Sequence, residues 1–186
     1  MIIIWFLILF IITIVFFIIE LYNNIITTKN DIIESLATID VILQNRYDLI
    51  PNIVKVAKQY AIYEKDTLSK IAELRQNWLN QINQLNQNKI NNEIEISSLI
   101  NNVFILSENY PTLKSDTLFL NIQNQYSEIE DKLQAARRIY NSNVKILKNK
   151  KQQIPTNFVA YFMKIENYLM FQVNREVNLS ENISNN

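Results

Sequence analysis

Apolar residues are first continuous along this chain and then periodic. From Ile2 to Ile19 they run without a charge, with Thr13 as the one polar residue. As a helix that run extends about 27 Å, close to the hydrocarbon core of a bilayer. Trp5 near one end and Tyr22 just past the other are the aromatics expected at the two interfaces. No basic residue precedes the run and no small-x-small site follows it, so it reads as a retained anchor rather than a cleaved signal.

Beyond the run, Ile25, Ile32, Leu36, Ile39 and Leu43 recur at steps of three and four or their sums, one face of a helix continuing out of the anchor. Proline in a helix interior removes a hydrogen bond and crowds the preceding turn, so Pro51 predicts a break or sharp kink near Tyr47, with Asp48 as N-cap of the next helix. A second stripe is Ile50, Ile53, Ala57, Tyr60, Glu64, Leu68, Ile71, Arg75, Trp78, Ile82 and Leu85. The Asn- and Gln-rich stretch from Asn80 to Asn92 follows, its second half reading as a connection. A third stripe holds Ile96, Leu99, Val103, Leu106 and Tyr110, ended by Pro111. The fourth, Phe119, Ile122, Tyr126, Ile129, Leu133, Ala136, Tyr140 and Leu147, is the clearest, with Val144 off the exact heptad. From Pro155 a last short helix is expected, with Phe158, Val159, Phe162, Ile165, Leu169 and Met170 on its apolar surface.

The fold class is therefore all-α: an N-terminal transmembrane helix continuing into a long antiparallel bundle of about four helices plus a short C-terminal helix. Residues 1–20 form the anchor, 21–172 the bundle and 173–186 a polar tail that reads as disordered. With no Lys or Arg before the span and Lys29 as the first after it, the charge rule leans towards a bundle in the cytoplasm.

Composition narrows the chemistry. The 186 residues contain no cysteine, no histidine and no glycine. Thiolate nucleophiles and zinc-thiolate sites are excluded, the usual general base is missing, and Gly-rich phosphate cradles cannot form. Lys plus Arg number 18, matched by 18 Asp plus Glu, so there is no cationic excess for nucleic acid. The lack of glycine also disfavours tight hairpins. Asn45, Asn88, Asn109 and Asn149 are then the natural left-handed helix enders. No catalytic, cofactor-binding or metal-ligating residues, and no small-molecule substrate, are inferred.

The segment Arg46-Tyr47-Asp48-Leu49-Ile50-Pro51-Asn52 concentrates charge, aromatic and proline. Arg46, Asp48 and Asn52, with Arg137 and Arg138 of the fourth helix, form a candidate interaction surface. The structural alternative pairs Arg46 with a carboxylate and lets Arg137, beside Ala136, reach an acidic residue on a neighbouring helix. Glu64 and Arg75 lie on an apolar stripe, where a buried pair fixing register is the expected arrangement. Glu128, Glu130 and Asp131 are expected to point outward. Lys145, Lys148, Lys150 and Lys151 flank the last helix and would suit anionic lipid.

These segments resemble the LemA family of bacterial membrane proteins. The resemblance rests on Ile39-Asp40-Val41, on Arg46 to Val54 running to Tyr60-Ala61, on Glu64, on Glu108-Asn109-Tyr110-Pro111-Thr112-Leu113-Lys114, on Ala136-Arg137-Arg138-Ile139-Tyr140-Asn141, and on Ile154-Pro155-Thr156-Asn157. It spans nearly the whole chain. Departures are Tyr63 where a histidine is expected, Gln44 and Asn45 where the family is basic, and Tyr161-Phe162-Met163 at a Phe-Gly-Phe-like turn. The resemblance implies an anchored long-helix bundle in a bacterial cell membrane and carries no catalytic residues. The function expected is a non-enzymatic membrane-anchored scaffold meeting the bilayer through residues 2–19 and an unidentified protein through its bundle. The alternative is a membrane-organising protein binding anionic lipid through the last helix and its lysines.

Overall fold

The computed structural model describes residues 2–59, 69, 70, 73, 76 and 87–171. The longest element, α1, is one 58-residue helix, Ile2–Gln59. At the standard rise it is about 87 Å long. α2 is Gln87–Ser107, α3 the single turn Pro111–Lys114, α4 Thr117–Gln152 and α5 Thr156–Phe162; all but α3, which no stripe predicts, fall on predicted helical segments.

Residues 2–20 of α1 are exposed on every side, and burial begins at the half-buried Leu21 and the fully buried Ile25. Beyond that point α1 is one-faced: Ile25, Ile32, Ile39, Leu43, Ile50, Ile53 and Ala57 point inward. They meet Phe119, Ile122, Tyr126, Leu133, Ala136, Tyr140, Val144 and Leu147 of α4. Polar contacts fix the direction of this pair. Arg46 reaches Tyr126, Asn143 reaches the Asp31 carbonyl, and Lys150 reaches Asn24. Numbers rise along α1 as they fall along α4, so the two are antiparallel, the arrangement predicted for long helices with short connections.

Local chemistry sets the turns. Pro111 opens α3, where its missing N–H costs nothing. Asp116 then caps α4, its Oδ1 accepting from the backbone N–H of Leu118 at 2.7 Å and of Phe119 at 3.2 Å.

Four expectations need correction. α1 does not break near Tyr47, and Asp48 is therefore not an N-cap but an exposed residue inside the helix. Pro51 is exposed, so its ring sits on the outer side while Tyr47, Ile50 and Ile53 are buried on the inner side and hold the helix on course. The second half of the Asn80–Asn92 stretch is helical from Gln87. The last helix stops at Phe162, and Ile165, Leu169 and Met170 lie in a non-helical segment after it. Among the described residues the positive φ falls on Lys164, at 47°, not on an asparagine; Asn45, Asn88 and Asn149 are inside helices. The second stripe beyond Ala57, including Glu64 and Arg75, and the tail at 173–186 lie outside the described residues.

The continuity of α1 through Pro51 has a measurable cost. Pro51→Ala restores an N–H facing the Tyr47 carbonyl and removes the ring from the preceding turn, so it is expected to stabilise the protein by about 1–3 kcal/mol. A raised thermal midpoint of the full chain in detergent, followed by circular dichroism, checks this. A lowered one would show that the proline shapes the α1–α4 contact.

Candidate functional site

Arg46 lies three residues after Leu43 and four before Ile50, on the inward stripe of α1. Its side chain is 0 % exposed. A guanidinium taken wholly out of water must meet carboxylates and hydrogen-bond acceptors, or the helix carrying it will not pack. Both are supplied by the two neighbouring helices. Nη1 stands 3.2 Å from Glu130 Oε1 of α4 and 3.8 Å from Glu93 Oε2 of α2. Nη2 donates to Ser97 Oγ of α2 and, at 3.2 Å, to the Tyr126 hydroxyl of α4. The guanidinium also lies over the Tyr126 ring, 5.4 Å from its centroid.

Glu93 is the second centre, 2 % exposed. Its Oε1 accepts from the Tyr47 hydroxyl at 2.9 Å and its Oε2 from Arg137 Nη2 at 3.0 Å. Arg137 in turn lies over the ring of Phe171, 5.2 Å from its centroid. Two guanidiniums and two carboxylates thus make a group with no net charge, drawn from α1, α2 and α4 together. Glu130 stands at the rim, 25 % exposed, and not on the outer face where the stripe put it. Glu128 does point outward, paired with Lys132 at 2.6 Å, and Asp131 is exposed.

Electrostatics hold these groups in one protonation state. Burial works against the charge of Arg46, but Tyr126, Glu130 and Glu93 outweigh it, and its pKa moves up. Burial pushes the Tyr47 phenol well up, and the Glu93 charge pushes further. Burial also raises Tyr126, with Glu130 adding and Arg46 opposing. Arg46 therefore stays cationic and both phenols neutral. The arrangement offers a fixed neutral cluster rather than a poised acid–base pair. Among the described residues no three acidic side chains converge in a way that could hold a metal ion.

A second set of contacts lies further along α4. The Tyr140 hydroxyl donates to the Leu169 carbonyl at 2.9 Å. Asn141 Nδ2 donates to the Phe171 carbonyl at 2.8 Å, and its Oδ1 accepts from the Phe171 N–H at 2.9 Å. Lys151 Nζ donates to the Ile165 carbonyl at 3.0 Å. The segment after α5 is thereby tied back along α4. Nearly every polar group in Arg137-Arg138-Ile139-Tyr140-Asn141 acts in packing; Arg138 is the exception, exposed on α4.

The candidate surface read from sequence is thus divided. Arg46 and Arg137 converge on Glu93, whereas Asp48, Asn52 and Arg138 are exposed. Glu93 was missed. Continuing the third stripe backward in steps of three from Ile96 reaches Glu93 and then Ile90, so an acidic residue on an apolar face was the available signal. Between α1 and α4 a groove of 520 Å³ is lined by Ser35, Thr38, Ile42, Ala136, Ile139 and Asn143.

The model of the LemA family matches residues 35–184. A protein of Metamycoplasma hominis named Protein LemA is 26% identical over 150 residues, covering 81% of this chain and 68% of that protein.

Two outcomes are expected. Arg46→Met takes one of two guanidiniums from the buried Glu93 and the one guanidinium from Glu130, and should destabilise by about 3–5 kcal/mol, whereas adding Glu93→Leu should recover part of that loss. Urea unfolding of the four proteins of this cycle measures the coupling; independent losses would show that the two residues do not act as a unit. The second concerns alkali. Burial raises the Tyr140 phenol from 10.0 to about 12. A raised folded-state pKa favours the neutral form, so its contribution is whole below about pH 10 and is lost as pH climbs through about 12. Tyr140→Phe should flatten that part of a stability–pH curve.

Proposed function

The chain belongs to the LemA family, and from that premise we propose that it is a non-enzymatic scaffold, anchored in a membrane by residues 2–19 and carrying its bundle at a fixed height above the bilayer. One observation carries the reading. α1 runs unbroken from the apolar segment to the ionic centre at Arg46. An 18-residue stretch of it reaches a mean hydropathy of 3.4 with none of that stretch buried in the fold, which suits a helix whose own environment is lipid. A rigid helix shared by anchor and core would hold the bundle at a set orientation, as a scaffold needs and a solvated linker could not provide.

The non-enzymatic reading is supported by where the reactive side chains lie. Arg46, Glu93 and Tyr47 are buried against one another. The partner surface would then fall on exposed residues: Asp48 and Asn52, one helical turn apart on α1, and Arg138 on α4. A bundle on the cytoplasmic side is favoured by Lys29 after the span. The lysine-rich end of α4 adds to this, since Lys150 donates to the carbonyl of Asn24 close to the same end.

A second reading, lipid contact through the C-terminal helix, is favoured by the exposure of α5. Two of its four lysines are engaged within the bundle, however. Lys150 is bonded to Asn24 and Thr28, and Lys151 to Ile165 and Asn167. Such contact would be apolar more than electrostatic.

The membrane test uses cells making the full chain. Alkaline carbonate should leave it in the membrane pellet, and protease added to spheroplasts should leave the bundle after Glu20 intact. Release by carbonate would sink the anchor; digestion would keep the anchor and place the bundle outside.

A further inference from the structure

We propose that α5 and the turn before it form an interfacial foot, in which Ile154, Phe158, Tyr161 and Phe162 enter the headgroup layer of the bilayer that holds residues 2–19. The proposal rests on the anchor reading and adds a second point of contact to it.

Exposure comes first. Outside residues 2–22, the aromatic side chains more than half exposed among the described residues are Phe158 at 63%, Tyr161 at 81% and Phe162 at 82%. All three are on one seven-residue helix, and Ile154 just before it is 78% exposed. A soluble surface scatters such residues singly; a contiguous group marks a contact. Their direction is fixed from behind, because Ala160 is buried and Val159 and Met163 pack on the core. The helix cannot roll to hide the aromatics without exposing that side.

Position selects the occupant. Lys150, near the end of α4, is bonded to the carbonyl of Asn24 and to the Thr28 hydroxyl of α1. α5 starts at Thr156, four residues beyond the end of α4, and packs against both α4 and α1. It therefore occupies the end of the bundle nearest the apolar segment. From Ile19 to Asn24 the axial rise is about 7.5 Å. The headgroup layer on each side of the hydrocarbon core is about 5–8 Å deep. The exposed aromatics thus stand beside the span at headgroup depth, where rings with an apolar body and, in Tyr161, a polar tip are best accommodated. No opposing charge is needed, since the nearest lysines already have partners within the fold.

The chain has no cysteine, so single cysteines can be placed for an environment-sensitive dye. Three positions are informative in the full chain reconstituted in zwitterionic bilayers: Phe162→Cys on the foot, Ile12→Cys in the span and Asn109→Cys at the far end of the bundle. With spin-labelled headgroups as quencher, the dye at 162 should be blue-shifted and quenched about threefold more strongly than at 109, as an interfacial depth requires. Adding Phe158→Ser should halve that difference, roughly, while circular dichroism is unchanged, because the side chain is exposed. Acyl-chain quenching at position 12 reports the anchor separately. If 12 is quenched and 162 behaves like 109, the foot is wrong and the anchor stands; if 12 is not quenched, the anchor reading fails and takes the foot with it. A dye at 162 that is shielded from lipid quencher but transfers energy between copies would assign this face to a second molecule and overturn the proposal.

Discussion

A guanidinium buried beyond the reach of water is the condition on which the rest of this bundle depends. Arg46 sits on the inner face of α1, and its charge is met by Glu93 of α2 and Glu130 of α4, with Ser97 and Tyr126 accepting hydrogen bonds. Apolar side chains alone would permit neighbouring helices to slide, because one leucine-sized contact resembles the next. Sliding α4 by a single turn, about 5.4 Å, would carry Glu130 and Tyr126 away from Arg46 and leave a charge unmatched in the core. The stripes make these helices stick together. The ionic centre decides at which register they do so.

The same helix that carries this centre also carries the apolar segment, and polar contacts with α4 continue along it. Polar side chains of α4 reach across to α1 main-chain carbonyls: Asn143 to Asp31, and Lys150 to Asn24. Backbone acceptors of a helix are ordinarily committed to its own ladder, but each carbonyl has a second lone pair, and a donor from outside can use it. These bonds tie α4 to α1 near the end where burial begins. With Arg46 holding the pair near the other end, α1 and α4 are fixed at two separated levels. On the proposed reading, the orientation of the bundle is then set by the anchor itself.

How much of this was legible in the sequence follows from what each residue's neighbours could reveal. Phe119 to Leu147 was read almost residue for residue, because a long regular stripe on one helix needs no knowledge of any other. The pairing of Arg46 and Arg137 with carboxylates was legible as the structural alternative to an interaction surface, since a guanidinium beside a packed face seeks a carboxylate. Which carboxylates was not legible, because Glu93 stands 47 residues from Arg46 and only the fold brings them together. Pro51 misled for a related reason. The local penalty was judged correctly in kind, but buried residues on both sides of it, Tyr47, Ile50 and Ile53, outweigh one lost hydrogen bond. The end of the chain failed by the wrong choice of period: Ile165, Leu169 and Met170 suit a helical face, yet main-chain bonds to Tyr140, Asn141 and Lys151 hold that segment in a non-helical course.

The run from Ala136 to Asn141 shows where structure leaves off and an outward role begins. Ala136 is in the core, Arg137 holds Glu93, Tyr140 holds Leu169, and Asn141 holds Phe171 by two bonds. An isolated bundle needs these and nothing more from the run. Arg138 is exposed, and no bond within the described part of the fold gives it a task. A flexible arginine loses rotamer freedom only when something orders it, so leaving it in water costs the fold nothing and keeps five donors ready for a carboxylate or phosphate from outside. Ile139 beside it is 59% exposed and lines the groove between α1 and α4. On the proposed scaffold reading, an apolar groove wall next to an exposed guanidinium is the combination that a protein partner's hot spot would match, which favours this edge of α4 over the buried arginines.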